Sequence, residues 1–144
     1  MRLSILAVGL AALAGCASAQ DSFRTLALGT QSGIHDALQV VITDQPAWQR
    51  FWEGHVSNRT DAPPVPAVDF GKERVAALLL GPKSNGCWSV EVTRVSSDNV
   101  AESTVVAYTV HEPPKGQVCT AVVTYPHHVI AIAKGPTEVR FERQ

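Results

Sequence analysis

The chain has 144 residues, 45% hydrophobic and 17% charged, with Lys+Arg 12 against Asp+Glu 13 and a pI near 6.5. That length holds one ordinary domain and excludes a multidomain protein, and the apolar content excludes disorder as a whole-chain description. The balanced charge leaves no cationic excess for phosphates, so nucleic acid is not an expected partner.

Arg2, the apolar run from Leu3 to Leu13 and the small residues after it have the layout of an export signal, assigned to residues 1–19. The run is too short to span a bilayer, which takes ~20 apolar residues. Leu13-Ala14-Gly15-Cys16 matches a bacterial lipobox, with Cys16 as the lipidation site and the membrane as a partner through that anchor. The alternative is ordinary cleavage after Ala17-Ser18-Ala19, giving a soluble periplasmic or secreted protein. Either way the remainder, residues 20–144, is read as a single exported β-rich domain. Setting Cys16 aside leaves Cys87 and Cys119, and in an oxidising compartment a disulfide is the economical reading. It would stabilise the fold by roughly 3 to 4 kcal/mol in the chain-entropy model. Two buried reduced cysteines are the alternative.

Phe23 to Leu28 and Leu38 to Thr43 are predicted strands joined by the turn-forming segment Gly29 to Asp36. Asp44-Gln45-Pro46 supplies a helix cap and first-turn proline. Trp48, Phe51 and Trp52 then recur at i, i+3 and i+4, so one amphipathic helix is predicted over about residues 45–56, its aromatic stripe docking on a sheet. Ala62-Pro63-Pro64-Val65-Pro66 reads as an extended surface connector.

Val75 to Leu80 is a continuous apolar run, expected as a central strand covered on both faces. Trp88, Val90 and Val92 alternate with polar residues, and Val95 falls out of phase, which predicts a bulge or strand end. Ser103 to Val110 is a further strand. Cys119 to Tyr125 and Val129 to Ala133 are read as strands interrupted at Pro126, and Val139 to Phe141 as the last. The expected class is α+β, mostly β: an antiparallel sheet of about six to seven short strands with one helix, or alternatively a small β-sandwich or partly open barrel.

Familiar catalytic signatures are missing. Gly29-Thr30-Gln31-Ser32-Gly33 has its serine one place off a nucleophile elbow, and no phosphate-cradling loop, dinucleotide fingerprint or His-Glu-x-x-His helix occurs. His35, Asp36, His55, His111, Asp69 and Glu112 are scattered candidates for acid–base work. His127 and His128 are adjacent, so in a strand they point to opposite faces, which disfavours a shared metal; one is expected buried and the other exposed. No catalytic residue, cofactor or metal is assigned.

Trp48-Gln49-Arg50-Phe51-Trp52, Val68-Asp69-Phe70-Gly71-Lys72-Glu73, Gly86-Cys87-Trp88-Ser89-Val90-Glu91-Val92 and Thr124-Tyr125-Pro126-His127-His128-Val129-Ile130 together resemble, in order and spacing, the PrcB family of protease complex subunits. The resemblance runs from Trp48 to Phe141. It departs from the family pattern where Cys87 stands for a glycine and Trp88 for a tyrosine. It implies a secreted or lipid-anchored, non-catalytic accessory protein whose partner is another protein, a subtilisin-like protease in the founding case. Trp88, Tyr125 and His127 are the partner-binding candidates. A small-ligand or polysaccharide binder using exposed aromatics is the alternative.

Overall fold

The computed structural model describes residues 20–144; the expected signal segment, residues 1–19 with Cys16, lies outside them. Eight strands and one helix follow in the order β1 (Gln20–Asp21), β2 (Phe23–Gly29), β3 (Ala37–Ile42), α1 (Gln45–His55), β4 (Glu73–Leu80), β5 (Ser89–Asp98), β6 (Ser103–His111), β7 (His127–Ala133) and β8 (Glu138–Arg143). The mostly-β class with one helix holds. The strands divide between two four-stranded sheets, β1-β5-β6-β8 and β2-β7-β4-β3, as in the sandwich alternative, and the β6–β8 pair is parallel.

Three layers result: α1 with its connector, the β2-β7-β4-β3 sheet, then the β1-β5-β6-β8 sheet. Strand alternation divides the core accordingly. Val75, Ala77, Leu79 and Val129 pack with Trp48, Trp52 and Val56 on the helix side. Ala76, Leu78, Ile130 and Ile132 pack with Val90, Val92, Val95 and Val106 between the sheets. The continuous run of β4 is thus explained, since both of its faces are covered.

Asp44 caps α1 by accepting the Ala47 N–H at 2.8 Å, and Pro46 sits in the first turn. The aromatic stripe does dock the helix on the sheet. It also holds the proline connector, because the Trp48 and Trp52 indole N–H groups donate to the Pro66 and Pro63 carbonyls at 2.9 and 3.0 Å. At the other end of α1, Gly33 N–H donates to His55 O at 2.8 Å. A Cβ on Gly33 would lie 2.4 Å from Gly54 O, so the β2–β3 loop reaches the helix only with glycine there.

The phase change in β5 is a bulge between Val92 and Arg94, which keeps Val90, Val92 and Val95 all in the core. Cys119 to Tyr125 is no strand. The segment is irregular apart from one bridge, Thr124 to Lys83, and pairing resumes at His127, two residues before the expected start at Val129. Its apolar residues suggested a strand, but its backbone bonds go to the Lys83–Gly86 turn, with Gly86 N–H donating to Thr120 O at 3.0 Å. Among the described residues no helix is long and apolar enough to cross a membrane.

Candidate functional site

Two regions gather the chemistry-bearing residues. The first is the lobe made by the Lys83–Trp88 turn and the Val118–Tyr125 segment. Cys87 and Cys119 form a disulfide with Cα atoms 5.6 Å apart, 32 positions distant in sequence, within the span bridged cysteines occupy. Neither stands in a strand: Cys87 lies in the turn before β5 and Cys119 in the irregular segment. The Lys83–Thr124 bridge and a Thr124 Oγ1–H bond to Asn85 O, 2.9 Å, brace the same lobe. On this braced backbone Val118 is 95% exposed, Val122 47% and Val123 55%. Three branched apolar side chains within six residues of the chain are thus turned to solvent.

The aromatics expected at a partner surface flank the lobe. Trp88 is half-buried with the Lys83 ammonium 4.9 Å above its ring, and Tyr125 is half-buried and stacked on His35 at 4.2 Å between centroids. His127 is not at the surface. It is 4% exposed and lies in the floor of a cleft on the helix side rather than beside Trp88 and Tyr125, and the expectation of one buried and one exposed histidine fails because His128, at 2%, is buried too.

The second region is built on those histidines, which point to opposite faces of β7 as strand geometry requires. His128 enters the inter-sheet core. Its Nδ1 accepts the Val92 N–H at 2.8 Å beside the β5 bulge, which fixes the proton on Nε2, and Nε2 then donates to Thr25 Oγ1 at 2.9 Å. One side chain therefore joins β7, β5 and β2. His127 faces the helix layer, where its Nδ1–H donates to Tyr125 O at 3.1 Å and its ring meets His55 edge-on at 4.5 Å. His55 lies at the end of α1, 5% exposed, with its Nδ1 2.9 Å from the fully buried Ser32 Oγ.

Burial holds all three imidazoles neutral. The His55 pKa falls to about 4, first through desolvation, then through the proximity of His127 and Arg59. Those of His127 and His128 are also lowered, in each case mainly by desolvation. The Ser32–His55 contact resembles a nucleophile and its base. Ser32 is buried at 0% exposure, however, and its Oγ accepts the Ile34 N–H at 3.1 Å, so the pair fastens the β2–β3 loop to the helix.

Above His55 and His127 opens a cleft of about 390 Å³ between β2 and the proline connector, with Trp52 in its wall and Arg59 at its rim. The other scattered acids and bases stay apart. His111 lies 3.9 Å from Glu91, Glu112 pairs with Arg143 at 2.9 Å, and Asp69 accepts the Gly71 N–H in its own turn at 2.9 Å. Among the described residues no group of three or more His, Cys, Asp or Glu could hold a metal ion. The cleft was not legible in the sequence, since β2, α1 and β7 supply its parts from far apart. Only the Ser/Gly loop and the helix-terminal histidine hinted at it.

Fold and surfaces together define a β-rich domain whose distinctive features are a disulfide-braced lobe with exposed valines and a cleft beside a sheet edge. Residues 74–133 match the family described as PrcB C-terminal, so the chain carries a PrcB-like segment over β4 to β7. Of the four motifs in the sequence, the two at Gly86–Val92 and Thr124–Ile130 fall inside that match. No curated protein and no solved structure matches the chain.

Proposed function

We propose that this is a non-enzymatic accessory protein of the cell envelope that binds another protein through the disulfide-braced lobe and so stabilises a secreted or surface protease complex. The observation that carries the reading is the exposure of Val118, Val122 and Val123 on a backbone fixed by Cys87–Cys119, inside the PrcB-like segment. A rigid apolar projection loses little conformational entropy on docking, which favours binding to a protein surface. The half-buried Trp88 and Tyr125 support its base, and one face of each ring is already taken by Lys83 or His35. That occupancy disfavours a sugar platform built on these two rings.

The reading includes export and a lipid anchor at Cys16. Intact mass of the mature protein tests the anchor: a diacylated chain beginning at Cys16 is expected, and an unmodified chain beginning at Gln20 would remove it. Capture from detergent-solubilised native envelopes tests the partner. The wild type should retain a protease, and Val122→Asp with Val123→Asp should lose it, since the loss of buried apolar anchors commonly costs 1 kcal/mol or more, about tenfold in affinity at 1.4 kcal/mol. Equal retention by the double variant would sink the lobe as the interface.

A further inference from the structure

Among the described residues strand β2 pairs only with β7, at the edge of its sheet, and none of them pairs with its outer side along Leu26–Gly29. Exposed edges are ordinarily blunted by charge. Strand β8 follows that rule with Glu138, Arg140, Glu142 and Arg143, whereas Leu26-Ala27-Leu28-Gly29 carries no charge and leaves Leu28 56% exposed.

The free stretch is bordered by a cavity on each face. On the helix side lies the cleft of about 390 Å³ over His55 and His127. On the other side a cavity of about 200 Å³ opens at the seam with β5, between Leu28 and Val90, with the Glu91–His111 pair at its margin. Leu28, Gly29 and Thr30 line both. A strand laid along this edge sends successive side chains to opposite faces, one into each cavity. Backbone pairing combined with alternating side-chain pockets is how sheet edges recognise extended peptides.

Charge selects the residue for the helix-side cleft. Arg59 stands at its mouth, close enough to bear on His55, and its partner Asp61 is exposed at 3.8 Å. His127 spends Nδ1 on Tyr125 O and His55 spends Nδ1 on Ser32, and the ring edges carrying Nε2 are those left to the cleft. A carboxylate entering there meets the Arg59 guanidinium and, with Ser32 Oγ–H donating to His55 Nδ1, the Nε2–H of His55, while the His127 Nε2, its proton being on Nδ1, is left as an acceptor to one side. The seam, with Leu28 and Val90, takes a small apolar side chain. Strand β1 does not occupy the place: the register Gln20↔Ser96, Asp21↔Val95 puts it on the far half of β5, away from Ser89–Glu91.

We infer that the free edge of β2 binds an extended acidic segment of a partner protein as an added strand, with an Asp or Glu side chain in the His55–His127 cleft and the neighbouring small apolar side chain at the β2–β5 seam. This contact is separate from the braced lobe, and Val122→Asp with Val123→Asp should leave it intact.

The test uses phage-displayed random octapeptides selected on the mature protein, followed by anisotropy titration and amide shift mapping with the recovered synthetic peptides. Acid followed by a small apolar residue should dominate, the amides of Leu26 to Thr30 should shift most, and Arg59→Glu should weaken binding about tenfold. Gly29→Ile should abolish it by filling the cleft; a Cβ there makes only ordinary contact, 3.5 Å from the His127 ring, and the backbone is not left-handed. Leu28→Lys, at an exposed position that does not threaten the fold, should also weaken binding about tenfold. Peptides that bind Gly29→Ile and Leu28→Lys as well as the wild type would overturn the inference, as would failure to recover any peptide. Self-association in sedimentation that Gly29→Ile abolishes would give the edge to a second copy and overturn it too.

Discussion

His127 and His128 follow one another in the chain and do unrelated work, because β7 sends them to opposite sides of one sheet. Period-two geometry made that separation legible in advance. Their burial was not, since the groups that receive them, Val92 N–H and the His55 ring, come from other strands and from the helix. The His128 bond can be tested alone. His128→Leu removes the acceptor of the buried Val92 N–H, and an orphaned donor of this kind costs about 1 to 3 kcal/mol. Urea unfolding should show a lowered midpoint with an unchanged slope. His55 gives a pH signature. Its folded pKa of about 4 lies below the 6.5 of an unfolded histidine, so the unfolded chain binds the extra proton between those values. The stability is fully present above pH 6.5 and declines as pH falls towards 4, by about 3 kcal/mol from this one group at 1.36 kcal/mol per unit. His127 and His128, lowered in the same direction, add to the decline. NMR titration should find the His55 ring neutral at pH 5.5; a ring half-protonated near 6.5 would contradict its burial.

At the level of elements, legibility followed how local the determining signal was. Asp44, Pro46 and the Trp48–Phe51–Trp52 spacing lie within nine residues, and α1 ends at His55, one residue short of the expected 56. The apolar run of β4 was equally plain. Cys119 to Tyr125 misled because β-branched composition records a preference for a pleated, half-buried surface, and this segment finds no neighbouring strand. Its backbone is held by the Lys83–Gly86 turn and the disulfide, and its valines are left in solvent. The β2–β3 loop offers a sharper test of local against distant control. Gly33 reads as an ordinary turn glycine, yet the constraint on it is the approach of Gly54 O. Gly33→Ala should therefore lower stability by about 1 to 3 kcal/mol, as overpacked sites do, although Gly→Ala at an unconstrained loop position commonly stabilises. Thermal melting distinguishes the two signs directly.

The division of eight strands into two sheets depends on pairings that no short window contains. Strand β8 joins β6 in parallel across more than thirty residues, and β7 inserts between β2 and β4. Hydrophobic alternation names the strands and their inward faces, but not which edges meet. It could not place the free edge of β2 beside the proline connector, or the Lys83 turn beside Thr120. The disulfide sits where that long-range arrangement is least supported by strand pairing. Two roles for it predict different outcomes. If Cys87–Cys119 contributes only chain entropy, Cys87→Ser with Cys119→Ser lowers global stability by about 3 kcal/mol and leaves the lobe's structure unchanged. The lobe's few backbone bonds, Gly86 to Thr120 and Lys83 to Thr124, argue for a further local effect, because a segment with so little pairing and so many exposed apolar side chains opens at low cost once its covalent tie is gone. Hydrogen exchange of the double variant should thus speed up at Gly86, Val122 and Thr124 by more than the global loss accounts for, while β4 and β7 amides speed up only by the amount the lost global stability sets. Uniform acceleration across lobe and core would show that the bridge braces the whole sandwich equally, and would remove the preorganisation on which the lobe's role as a docking surface rests.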